Sequence, residues 1–171
     1  HAQTEMTANR TENTLDARGW PRFDETIVMQ ADLGAIDLSD AIDMVPLQDS
    51  GRWIDQCTAM GSFSTAIKPG MSELIASIRQ GNTMPNPIKG QVGLFLTETS
   101  TGEGRAAAMG VQLAGMVGVV EVISHPAHRR TGAGRRIMSS TLLWAQKSGV
   151  QTAWLQVVAN NDAAINLYNS M

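Results

Sequence analysis

Three apolar runs, residues 92–96, 106–113 and 117–123, are separated by connections too short to hold a helix, and that spacing decides what this chain can fold into. Parallel neighbours need a crossover of a dozen or more residues, whereas antiparallel neighbours need only a turn. The polar stretch 99–104 reads as a hairpin turn and Ala114-Gly115 as a tighter one. The third run, Val117-Gly118-Val119-Val120-Glu121-Val122-Ile123, is strongly β-branched, as a strand prefers. The three runs therefore predict an antiparallel meander.

Helical periodicity appears on both sides of it. Asp49 or Ser50 suits the cap of a helix beginning near Arg52, with Trp53, Ile54, Cys57 and Met60 on one face. Pro69-Gly70 reads as a break, after which Ser72 would cap a second helix carrying Leu74, Ile75 and Ile78 and ending near Gly81. Residues 82–87 read as a loop. After Pro126 comes a Gly-rich loop and then a helix over about 134–148, stopped by Gly149. Its buried stripe is Ile137, Met138, Thr141, Leu142, Trp144 and Ala145. Residues 152–158 make a fourth strand and 162–169 a last helix. Upstream, residues 26–29 form a short β-prone run, and 34–50 are irregular and rich in Asp. Two helices, three antiparallel strands, a helix, a strand and a helix describe an α/β chain.

Composition narrows the function classes. The 171 residues are 43% hydrophobic and 17% charged, the make-up of a folded domain with its own core. A formal net charge of -3 gives no general attraction for nucleic acid or an anionic membrane. The basic cluster around residues 128–136 is short and lacks interleaved aromatics. No apolar run approaches the roughly 20 residues that span a bilayer. Cys57 is the lone cysteine, so neither an internal disulfide nor a cysteine-based zinc cluster is available and no metal is expected. The expectation is a cytoplasmic protein.

The basic cluster has a specific setting. A strand that stops at a proline feeds Arg129-Arg130-Thr131-Gly132-Ala133-Gly134-Arg135 into a helix. Such a junction presents unpartnered N–H groups at the positive end of the helix dipole. Glycines at 132 and 134 let the backbone approach an anion closely. Arg130 and Arg135 add charge beside it. A phosphate-binding P-loop would need Lys-Ser/Thr where Arg135-Arg136 stands, and a dinucleotide fingerprint would need a third glycine where Ile137 lies. The chemistry read from these residues is an anion site, most simply for a pyrophosphate.

The run Val122-Ile123-Ser124-His125-Pro126-Ala127-His128-Arg129-Arg130-Thr131-Gly132-Ala133-Gly134-Arg135 resembles the acetyl-coenzyme-A signature of the GNAT superfamily of N-acyltransferases, Arg/Gln-x-x-Gly-x-Gly/Ala. A second block, Leu155-Gln156-Val157 followed by Asn161-x-x-Ala164-x-x-Leu167-Tyr168, resembles the same family independently. The resemblance covers roughly residues 90–171. It implies an α/β (α+β) GNAT fold, a mixed central sheet with an antiparallel meander, splayed at the acetyl-CoA site and flanked by helices. It also implies that the backbone of Val122, Ile123 and Ser124 pairs with the pantetheine arm. Amides from Arg130 through Arg135 hold the pyrophosphate, with Arg129 opening the signature, and Asn161 hydrogen-bonds the coenzyme. Tyr168 stands where the family places the hydroxyl that meets the departing thiolate. Glu121, on the third strand, is the candidate base. Gln156 occupies a position where some relatives keep a Glu, and an amide accepts no proton at neutral pH. His125 and His128 are read as surface residues, and Trp53 and Trp154 as packing residues.

The expected activity is transfer of an acetyl group from acetyl-CoA to an unidentified primary amine by direct attack. The alternative is a non-catalytic acyl-CoA-binding module, which Gln156 favours. Relatives continue past the last helix into further strands, while this sequence stops at Met171. Residues 34–171 are thus expected to form a GNAT domain without its usual C-terminal strand. Residues 1–33 would be the remnant of a preceding GNAT-like half, or would supply the absent strand. Strand supply by exchange between subunits would make a homodimer.

Overall fold

The computed structural model describes residues 2–3, 16–19, 25–62, 68–80 and 90–171. The three predicted runs form β3 (Gln91–Glu98), β4 (Gly104–Leu113) and β5 (Met116–Ser124), paired antiparallel in sequence order. Their tighter turn places Ala114 at φ 50° and Gly115 at φ 79°. Two successive positive φ values are what a two-residue hairpin turn needs to match strand twist. To this meander β6 (Thr152–Val158) adds in parallel, and β2 (Thr26–Asp32) adds antiparallel to β6 along all seven of its residues. A two-residue β1 (Ala2–Gln3) pairs with β2, giving the order β1-β2-β6-β5-β4-β3 among the described residues. The expected mixed sheet is present, and the β-prone run at 26–29 extends to Asp32 as the neighbour of β6.

Helices cover both faces. On one side α1 (Ser50–Ala59) and α2 (Lys68–Gln80) pack Trp53, Ile54, Cys57 and Ile75 against Leu94, Leu96, Ala107 and Met109. On the other, α3 (Ala133–Lys147) packs Ile137 against Phe95, Ala106 and Ala108, and Met138, Leu142 and Ala145 against Val117, Val119 and Leu155. The strands alternate faces with a period of two, as pleating requires. The short helix α4 (Asp162–Asn169) lies on the α3 side, where Ala164, Ile165 and Tyr168 join the same cluster. The cap of α1 is Asp49, whose carboxylate accepts from the Arg52 amide at 2.9 Å.

One expectation fails at α2. Pro69-Gly70 does not break the chain but lies in the first turn of this helix, which starts at Lys68 and not after Ser72. Proline is tolerated there because the first N–H groups of a helix have no internal partner to lose. The expected helix end at Gly81 and the loop at 82–87 lie outside the described residues, as does most of the segment before residue 25.

The position of α3 is fixed by missing side chains on the sheet. A Cβ at Gly110 would come within 2.9 Å of Thr141 and 3.0 Å of Trp144, and one at Gly93 within 2.7 Å of Phe95. The indole of Trp144 lies in the space these glycines leave. It meets Phe95 edge-on at 5.5 Å between centroids, one of the arrangements that aromatic pairs prefer. Outside, Asp40 and Asp43 of the irregular segment pair with Arg135 and Lys147 at 2.8 and 2.6 Å, at opposite ends of the helix. Replacing Gly110 by Ala is therefore expected to push α3 off the sheet and cost about 1–3 kcal/mol, the usual range for overpacking. Urea unfolding of the variant checks this.

Candidate active site

The sheet opens at one place. Parallel pairing of β5 with β6 runs from Met116↔Thr152 to Val119↔Leu155 and goes no further. Beyond it β5 continues to Ser124 on β4, and β6 continues to Val158 on β2. Two strand edges thus diverge, each carrying backbone N–H and C=O groups toward the gap. An extended ligand arm can pair with such an edge as though it were another strand. Val122, Ile123 and Ser124 line the β5 side of the gap.

A bulge marks where the opening starts. Met109 of β4 pairs with Val120 and Ala107 with Ile123, so β5 sets Glu121 and Val122 against the single residue Ala108. Glu121 carries the extra length at φ 53°, an uncommon conformation for a residue with a Cβ. The consequence is a change of face. Val117 and Val119 point to the α3 side, and strict alternation would send residue 121 there too. Instead Val120 packs on the α1 side, Val122 returns to the α3 side, and the Glu121 carboxylate accepts a 2.7 Å hydrogen bond from Ser62 Oγ just past α1. The bulge takes a carboxylate that would otherwise point into the α3-side core and presents it beside α1.

Downstream of β5, a 3₁₀ turn (Pro126–His128) leads into the Gly-rich loop. His125 Nδ1 accepts from the Ala127 amide, and Thr131 Oγ1 donates to the His128 carbonyl at 2.7 Å, so the loop is tied to itself. Arg130 at φ 61° and Gly132 at φ 81° make the turn. Gly132 is the N-cap of α3 and has no side chain with which to cap it. Arg136 bonds back to the Gly132 carbonyl at 3.0 Å, so the amides of Ala133, Gly134 and Arg135 precede the helical ladder. A Cβ at Gly132 would meet nothing within 4 Å, whereas one at Gly134 would come within 3.1 Å of Ser124 Oγ. Gly134 lets the helix start touch the strand end, and Gly132 keeps the cradle open. Arg129 and Arg130 are exposed beside it. The guanidinium of Arg135 is committed elsewhere, to Asp40 at 2.8 Å and to Ser170 at 2.9 and 3.1 Å. Its side chain therefore adds little free charge to the cradle, and its amide is what it offers. The donors and the open concavity fit a pyrophosphate.

Asn161 caps α4, its Oδ1 accepting from the Ala164 amide at 3.2 Å. Tyr168, on the same helix, lines a cavity of about 980 Å³ together with Met29, Asp32, Met138, Leu142 and Leu155. Burial raises its phenol above the ordinary tyrosine range. Tyr168 and Glu121 thus belong to opposite faces of the sheet. Gln156 is exposed on β6. His125, directly after β5, sits 3.5 Å from Glu103. Trp53 is fully buried and donates to the Phe95 carbonyl at 3.0 Å, a packing role as expected. Trp154 lies over Gly118, where a Cβ would come within 2.8 Å of its ring.

Sequence reasoning missed Ser62. The only local signal was Gly61-Ser62 at the end of α1, and its partner lies 59 residues away.

Comparison with known proteins places the chain in a family. Residues 13–171 match the family described as "Probable histone acetyltransferase Rv0428c C-terminal". The chain is 26% identical over 124 residues, 72% of its length, to the uncharacterized N-acetyltransferase YobR of Bacillus subtilis, and spans 46% of that protein. Over 46 residues it is 44% identical to the ribosomal protein bS18-alanine N-acetyltransferase of Escherichia coli K12, covering 27% of this chain and 31% of that one. The chain thus spans less than half the length of these curated relatives. The crystal structure of the ribosomal-protein-S18-alanine N-acetyltransferase from Escherichia coli is similar in fold, with a TM-score of 0.52 and 20% identity over 83% of this chain and 76% of that one.

The thiol of Cys57 has a chemical consequence of its own. Burial pushes it up to about 12, and the nearby Glu121 carboxylate adds to the shift. At pH 8 only about one thiol in 10⁴ would be ionised, so Cys57 is unsuited to carry an acyl group. Native protein is expected to react with a thiol-specific disulfide reagent only as fast as it unfolds. Rapid labelling without denaturant would count against this.

Proposed function

The chain belongs to the Rv0428c C-terminal family of GNAT acetyltransferases, and from that membership we propose that it moves an acetyl group from acetyl-CoA to a primary amine by direct attack. The observation that carries the reading is the β5 bulge, which puts a carboxylate at the mouth of the sheet opening and one strand-end away from an uncapped helix start. In this reading the amides of residues 130–135 hold the pyrophosphate, and the β5 edge at Val122, Ile123 and Ser124 pairs with the pantetheine arm. Asn161 supports that arm from the cap of α4.

Glu121 takes the proton of the attacking amine, directly or through water. The new C–N bond forms as the C–S bond breaks, and a β5 backbone N–H meets the developing oxyanion. Tyr168, a neutral phenol at neutral pH as any tyrosine is, gives its proton to the departing thiolate and recovers one from solvent. Cys57 takes no part, since a neutral buried thiol is a poor nucleophile. The strand β2 is proposed to serve as the closing strand beside β6, so that the segment before residue 34 works within this domain.

The family description and the Escherichia coli relative name two acceptors, a histone and a ribosomal-protein alanine. A panel of histone-derived lysine peptides, alanine-initiated peptides and small amines, with thiol release from acetyl-CoA as the readout, covers both. Turnover is expected with at least one class. Glu121→Gln should lower kcat about 10²-fold or more, and Tyr168→Phe roughly 10-fold, with acetyl-CoA binding retained in both. The exposed amide of Gln156 favours a second reading, a module that binds acyl-CoA without turnover. Binding by calorimetry with no thiol release for any amine would establish it. Gly132→Val is expected to abolish acetyl-CoA binding under either reading while the fold survives, because its side chain would project into the cradle from a strained φ.

A further inference from the structure

We propose that Ser62 is a positioning residue for the reaction, holding the Glu121 carboxylate at the mouth of the β5–β6 opening from a site fixed by the end of α1. The inference rests on the acetyltransferase reading above and assigns a role to a residue outside both coenzyme-signature blocks.

The position of Ser62 is set by backbone geometry. Helix α1 ends with Met60 as its C-cap, and Gly61 follows at φ 92°. The Gly61 amide bonds to the Thr58 carbonyl at 3.0 Å and the Ser62 amide to the Cys57 carbonyl at 2.9 Å. These two bonds, with glycine in the left-handed conformation between them, are the Schellman closure of a helix. They fix the backbone of Ser62 relative to the buried residues of α1, Trp53, Ile54 and Cys57, which are themselves anchored on the sheet. The hydroxyl then reaches one oxygen of Glu121 at 2.7 Å, a well-formed O–H···O length. Glu121 needs such a tether. Its backbone sits in a bulge at φ 53°, and the buried Cys57 of α1 beside it is neutral and gives it no countercharge. Among the described residues only one oxygen of Glu121 is bonded, to Ser62, and the other is the one proposed to take a proton from an amine.

Among the described residues the hydroxyl bonds only to Glu121, and the helix closure uses only the Ser62 amide. Ser62→Ala should therefore fold normally. In protein labelled with 13C at the glutamate side-chain carboxyl, the Glu121 signal is identified as the one missing from Glu121→Gln. It should move in Ser62→Ala and stay near its original position in Ser62→Thr. A Glu121 signal unmoved by Ser62→Ala means the bond is not made and overturns the proposal, whatever the activity. In the thiol-release assay kcat should fall about 5- to 20-fold in Ser62→Ala with KM for acetyl-CoA unchanged, and Ser62→Thr should recover most of it. Adding Ser62→Ala to Glu121→Gln should cost nothing more. Equal losses in both backgrounds would mean that Ser62 acts without Glu121 and would sink the proposal. Full activity in Glu121→Gln would sink the base assignment itself, a failure distinct from a Ser62→Ala enzyme that stays as active as the parent while Glu121→Gln is dead.

Discussion

A β-strand hands its side chains alternately to two faces, and β5 obeys this through Val117 and Val119, which lie in the α3-side core. The insertion of one residue against Ala108 ends that regularity, turns Val120 and Glu121 to the same side, and coincides with the last parallel pair between β5 and β6. The two events are linked physically. A bulge bends its strand and increases its local twist, so the edge that would have continued toward β6 turns away from it. The opening in the sheet, the unpaired β5 edge and the placement of a carboxylate at its mouth thus share a cause. The cost is a residue with a Cβ in left-handed backbone, on the order of 1 kcal/mol, and the site is where such strain is commonly stored.

That strained position holds only because its surroundings are tightly determined. On one side, glycines at 93 and 110 admit the Trp144 ring and seat α3 closely on β3 and β4. This seating sets where the first turn of α3 falls relative to the end of β5, and Gly134 against Ser124 is the contact that fixes it. On the other side, α1 is held by the buried Trp53 indole and its bond to the Phe95 carbonyl. The anion cradle and the carboxylate are therefore positioned by two different helices on two faces of one sheet. Neither depends on the flexibility of a long side chain. Arg135 reinforces the arrangement by linking the irregular segment at Asp40 to the end of α4 at Ser170.

Much of this was legible in the residues. Short connections between apolar runs specify a meander, and a glycine-rich run ahead of helical periodicity specifies a tight strand-to-helix turn, because both follow from local backbone chemistry. The start of α2 was misjudged because Pro-Gly is a strong breaker inside a helix but harmless in its first turn. The bulge gave no sign, since Glu121 sits in a β-branched run between Val120 and Val122, and its extra length exists only relative to β4. Arg135 looked like charge for the cradle because sequence adjacency cannot show that Asp40 and Ser170, distant along the chain, already claim it. The pairing of β2 with β6 was legible only as one of two alternatives for the residues before 34, because strand order is a tertiary fact.

The protonation states around the opening favour one chemical route over the other available to acyl transfer. A covalent route requires a nucleophile that ionises near neutral pH and reaches the thioester. The lone thiol is buried, held neutral by its surroundings, and disfavoured further by the very carboxylate that would have to activate it. Proton transfer from Cys57 to that carboxylate would trade the carboxylate charge for a thiolate in a buried position, which desolvation opposes. The same carboxylate facing an incoming amine meets the opposite situation. The ammonium form is attracted to it, and loss of the proton to it leaves a neutral nucleophile beside a neutral acid. Direct attack would therefore use the charge of Glu121 at both stages, whereas a covalent route would need a thiolate that burial disfavours.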